Sequence, residues 1–220
     1  MKTTYSFILI FVGQILFGQS DSSLFPKNQI IISPIRVLGP DRGIELNYER
    51  QVSTKFSTQI IARYITDIFQ NTPQYSYKNL RGIALYIEPK YYNPINNQYR
   101  TYFSLNVGYL NSKFENIDDF INEQADTINK FENFYSDTVN IKRQFFDLNF
   151  NYGIQASYKN FVFEFSAGLG LRYRDVKLEN KLFEDSEMFR HRHELFIATH
   201  RDGAFFVPNI PLRLKIGYCF

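Results

Sequence analysis

Apolar side chains recur at every second position over long stretches of this chain. Ile44, Leu46 and Tyr48 alternate with Glu45, Asn47 and Glu49, while Ile210, Leu212, Leu214, Ile216, Tyr218 and Phe220 alternate with Pro211, Arg213, Lys215, Gly217 and Cys219. On an extended strand successive side chains point to opposite faces, whereas a helix face returns every ~3.6 residues. The pattern confines the chain to sheet, with one apolar and one polar face.

Eight such segments follow the N-terminal region. The first, 29–37, is the least regular and contains Pro34; the others are 44–49, 56–64, 82–91, 99–109, 146–158, 161–174 and 210–220. All but 44–49 lie near or above the ~9–11 residues that a tilted membrane-crossing strand needs. Connections at 38–43, 67–79, 112–140 and 176–206 fall on one side, and short turns at 53–55, 93–97 and 159–160 on the other. Bacterial membrane barrels carry long outer loops and short periplasmic turns. Strand direction then sets Phe56, Tyr91, Tyr99, Tyr158, Phe161, Tyr218 and Phe220 near one interface, and Tyr64, Tyr109, Phe146 and Tyr173 near the other. Two aromatic girdles belong at those depths. The expected fold is all-β, an eight-stranded antiparallel up-and-down transmembrane β-barrel over 21–220, with both termini periplasmic.

The N-terminus fits that location. Lys2, an apolar run over 5–17 and the small residues Gly18 and Ser20 read as a secretory signal peptide over 1–20. The run is shorter than the ~20 residues of a membrane helix, and no Cys follows it to carry a lipid anchor. Cys219 is the one cysteine, so no disulfide forms within the chain. A net charge of +3 makes no case for nucleic acid. A soluble barrel such as a lipocalin also alternates, but turns its apolar face inward. Here the polar face is rich in Gly, Ser and Asn with isolated charges, which suits a narrow filled lumen in the outer membrane.

Side chains fill an eight-stranded barrel, and a charge shut inside needs a partner. The expected interior is a closed, salt-bridged network of Glu45, Arg63, Glu88, Lys90, Arg100, Asp147, Glu164, Arg172, Arg174, Arg213 and Lys215, with Glu49 on the same face. Glu88 and Glu164 are expected to meet Arg172, Arg174 and Arg213. A narrow ion path along these residues, or a hydrophobic-ligand carrier, is the alternative.

The run Gly43-Ile44-Glu45-Leu46-Asn47-Tyr48-Glu49-Arg50, with Lys55-Phe56-Ser57 after it, and the run Glu88-Pro89-Lys90-Tyr91-Tyr92 resemble a family of small Gram-negative outer-membrane β-barrel proteins. The architecture is similar to that of the OmpX and OmpA transmembrane barrels. The resemblance implies a location and a fold, and no activity. The C-terminal segment, with Leu214, Ile216, Tyr218 and the final Phe220 on one face, resembles the signal read by the barrel-assembly machinery.

Chemistry is sparse. His191, His193 and His200 share the last outer loop, near Ser186, Glu187 and Glu194. A lipid A deacylase-like enzyme could use them, but nothing sets a nucleophile against a base. A His-x-His metal site lacks a third ligand. The 112–140 connection is acidic and has Phe114, Ile117, Ile121, Ile128 and Phe131 at roughly helical spacing, which predicts a short surface helix. It lacks the glycine-closed calcium-loop pattern. Arg190, Arg192 and Arg201 are expected to pair with that acidic loop or to stay solvated, with lipid phosphates as the alternative. The expectation is a protein that is not an enzyme, with no cofactor and no metal, in a structural or surface-interaction role. Its expected partners are outer-membrane lipids, lipopolysaccharide and the barrel-assembly machinery; the sequence names no extracellular or envelope protein partner.

Overall fold

The computed structural model describes residues 28–34, 41–67, 78–94, 98–121, 134–179, 187–188 and 203–220. Within them the strands are β1 (Asn28–Ile32), β2 (Gly43–Gln51), β3 (Phe56–Thr66), β4 (Lys78–Pro94), β5 (Tyr99–Ile121), β6 (Phe134–Tyr158), β7 (Phe161–Glu179), β8 (Glu187–Met188), β9 (Gly203–Asn209) and β10 (Leu212–Cys219). Each strand from β1 to β6 pairs antiparallel with the next. β10 pairs with both β1 and β7, so the sheet closes. β9 continues along β7 where β10 leaves it, and the two together form the eighth stave of a closed antiparallel barrel. The two-residue β8 adds to β5 outside this ring.

The stave breaks at Ile210 and Pro211, since proline has no N–H for the ladder; the Pro211 carbonyl still accepts from Gly168 N at 3.0 Å. Pro89 has a similar effect inside β4, where the ladder to β5 carries no pairs at Glu88 and Pro89. Short turns join β2 to β3 and β6 to β7. In the second, Lys159 takes a left-handed φ of 54°.

The inner and outer faces follow the alternation. Ile44, Leu46, Ile60, Leu85, Leu105, Phe150, Leu169 and Leu212 are exposed around the barrel, while Asn47, Glu49, Gln59, Glu88, Asn106 and Lys215 are fully buried inside it. Two inner tyrosines need room that glycine supplies. Tyr86 lies opposite Gly108, and Tyr102 opposite Gly153. A Cβ at either glycine would run into the facing ring.

Several boundaries differ from the sequence-based expectation. β5 continues to Ile121 and β6 starts at Phe134, so 114–121 is strand where a helix was expected, and the connection is far shorter than 112–140. β4 starts at Lys78 and runs through Pro94, into the expected turn. β7 reaches Glu179, and β9 occupies part of the expected 176–206 connection. The first segment is strand only over Asn28–Ile32; residues 35–40 lie outside the described residues. The C-terminal segment is strand from Leu212, not from 210.

Candidate functional site

The lumen collects most of the ionisable side chains that the barrel buries. Each is set there by strand parity, and the strand register decides which neighbour it meets. Three ion pairs join residues directly opposite on adjacent strands. Arg63 pairs with Glu45 at 2.6 Å, Arg172 with Asp147 at 2.6 Å and Lys215 with Glu164 at 2.7 Å. Arg172 holds Asp147 through both Nε and Nη2, and Tyr86 donates to the same carboxylate at 3.1 Å.

Other contacts cross the lumen. Lys90 Nζ lies 2.8 Å from Glu49 and 2.6 Å from Glu164, and Arg213 lies 2.7 Å from Glu88. Lys215 approaches Glu88 at 3.7 Å, and Arg100 approaches Glu49 at 3.8 Å. The order Arg100, Glu49, Lys90, Glu164, Lys215, Glu88, Arg213 is thus an unbroken alternation of sign from one side of the barrel to the other. Polar neighbours complete it. Tyr92 donates to Glu49, Tyr102 to Glu164 at 2.8 Å, Ser104 to Glu88 at 2.6 Å and Lys215 to Gln59 at 2.7 Å. The Arg100 guanidinium stacks 3.6 Å over the Tyr92 ring, and Lys90 sits 4.6 Å from that of Tyr102.

The pairing corrects one expectation. Glu164 meets Lys90 and Lys215, not the arginines, while Glu88 does meet Arg213. Arg174 lies against the rings of Phe145 and Phe205. The interior is also not polar throughout. Toward the end where β5 and β6 extend, Ile61, Ile65, Leu110, Phe114, Val139, Ile141, Phe145 and Val176 form a buried apolar cluster. Arg143 lies within it, 4.4 Å from the Phe114 ring, and pairs with Asp41 at 2.9 Å. Burial would raise the Asp41 carboxyl, but Arg143, with Arg172, Arg63 and Arg174 farther off, holds it below the ordinary carboxylate value. Neither Asp41 nor Arg143 was singled out from sequence: Asp41 falls in the expected 38–43 connection, and Arg143 lies between the expected 112–140 connection and the strand expected from 146.

On the outer face Leu214, Tyr218 and Phe220 are exposed and Ile216 is half-buried. Tyr109, Phe146, Tyr173 and Phe206 form one ring-to-ring row, with centroid distances of 4.8, 6.4 and 5.2 Å. Phe56–Tyr91 and Phe161–Tyr218 contacts lie at the turn end. The signal segment 1–20, Ser186, the three histidines and Arg190, Arg192 and Arg201 lie outside the described residues. Among the described residues no three His, Cys, Asp or Glu gather to hold a metal.

Such a lumen braces the staves against one another. Its carboxylates Glu45, Glu49, Glu88, Asp147 and Glu164 all meet cations, which outnumber them, and Arg174 lies against aromatic rings. No family model, curated protein or solved structure matches this chain. The likeness to small outer-membrane barrels therefore rests on two short motifs and on the eight-stranded closed architecture.

Proposed function

We propose that the chain is an outer-membrane β-barrel with a structural or surface-contact role, exported by its leader and set among outer-membrane lipids and lipopolysaccharide by the barrel-assembly machinery. One observation carries this reading: the polarity of the barrel is inverted. Leu169 is 70% exposed and Phe150 58%, while Lys215 and Glu88 are at 0%. Exposed apolar patches beyond a few hundred Å² are rare on soluble monomers. A hydrocarbon surround removes that cost, and the aromatic row at the loop end suits its boundary. The ion-paired lumen favours a brace over a channel. The lipid-modifying alternative depends on histidines outside the described residues, and no described feature favours it.

The test is electrophoretic mobility of the protein from purified outer membranes, with and without boiling in detergent. A faster band in the unboiled sample, converted by boiling, is expected. The same mobility in both, with the protein in the soluble periplasmic fraction, would sink the reading.

A further inference from the structure

Beyond the aromatic row the outward face turns basic on a single rung. Arg81 of β4 lies opposite Lys113 of β5, Lys113 opposite Lys142 of β6, and Lys142 opposite Lys177 of β7. All four side chains are exposed. With strands ~4.8 Å apart, the cations occupy about 15 Å of the sheet. The rung nearer the belt carries Ile83, Asn111, Gln144 and Asp175; the rung farther out carries Lys78, Glu115, Asn140 and Glu179.

Like charges facing each other on adjacent strands destabilise a sheet. Lys142 is relieved by an exposed ion pair with Glu179 at 2.7 Å. Among the described residues, Arg81, Lys113 and Lys177 have no ion-pair partner. A recess of about 240 Å³ opens at this rung, lined by Arg81, Lys113 and Lys142 together with Asn79, Glu115 and Glu179. Beside it β4 shifts register between Lys78 and Arg81, where Asn79 has a φ of 57°. The rung thus combines unneutralised charge with a concavity.

We propose that this basic rung docks the phosphates of lipid headgroups in the leaflet around the loop end of the barrel. The inference rests on the membrane reading and adds a ligand to it. Height supports the assignment. Lys113, Lys142 and Lys177 each lie four residues along their strands from Tyr109, Phe146 and Tyr173, about 13 Å along the strand, or about 10 Å of height at a tilt of ~40°. Rings at the hydrocarbon boundary put the rung within reach of the headgroup phosphates. Charge complementarity supports it as well: a phosphate offers Arg81 paired acceptors, and one carrying two negative charges bridges neighbouring lysines. An acidic protein would have to enter the headgroup layer to reach the same surface.

The full chain is reconstituted into two bilayers, phosphatidylcholine alone and phosphatidylcholine with lipid A, whose headgroup bears two phosphates. Lipid retained after detergent extraction is counted by native mass spectrometry. The unaltered chain is expected to retain lipid A over phosphatidylcholine, and the variant R81Q/K113Q/K142Q/K177Q to retain roughly tenfold less or lower still. Because these substitutions remove repulsion on an exposed rung, the unboiled band should persist. K55Q/K159Q, at the opposite end, should retain lipid A like the unaltered chain. Equal retention by the rung variant, or full displacement of lipid A by millimolar inorganic phosphate, overturns the proposal while leaving the membrane reading intact. No fast-migrating band in either bilayer overturns both.

Discussion

Glu164 receives four donors: Lys90 and Gln155 on one oxygen, Lys215 and Tyr102 on the other. Glu164→Gln keeps the shape and removes the charge, leaving two buried ammonium groups short of an anion. Breaking one partner of a buried pair costs about 3–5 kcal/mol. The urea concentration that unfolds half of the fast-migrating band should fall accordingly, and Lys215→Gln in the same chain should recover part of the loss. An unchanged midpoint in the single variant would mean that the network carries little of the stability. Alternation alone puts Glu45, Glu88, Glu164, Arg213 and Lys215 on the inner face, so that much was legible in the sequence. Glu45–Arg63 and Asp147–Arg172 follow once a hairpin register is known. Lys90–Glu164 and Arg213–Glu88 span 74 and 125 residues of chain. The second was expected from the shared inner face; the first depends on how the closed sheet staggers, which no local pattern records.

At the scale of the strands, the glycines opposite the lumen tyrosines fix how closely neighbouring staves are filled. Gly108→Ala forces a methyl into the Tyr86 ring, and overpacking of this kind costs about 1–3 kcal/mol. The same urea titration should show that loss, and Tyr86→Leu should relieve it; a G108A chain as stable as the parent would show that the ring yields freely. The strands themselves were readable wherever the outward face is apolar and the inward face largely polar, as in β3 and β7. Past that zone both faces lose contrast. Lys113-Phe114-Glu115-Asn116 shows no clean alternation, yet β5 continues because β6 supplies hydrogen-bond partners to its end. β9 was hidden for the opposite reason: Phe205-Phe206-Val207-Pro208 is a continuous apolar run with a proline.

The whole molecule is a ring closed twice over, by its ladder and by the chain of charges across its middle. Ion pairs link side chains across the lumen, and the apolar cluster lies between them and the loop end. Planar bilayers containing the protein should therefore show no stepwise conductance; regular steps would contradict a braced lumen. The inverted surface also bears on how such a chain travels. On the membrane reading, apolar residues along the sequence are mostly interleaved with polar ones, so export machinery that senses hydropathy over a window of ~19 residues meets no long apolar run among the strands to stop it. The apolar belt comes into being only when strands lie side by side. On the membrane reading, the polypeptide crosses the inner membrane as an unremarkable polar chain and becomes a lipid-seeking object at its destination, where assembly and insertion are one event.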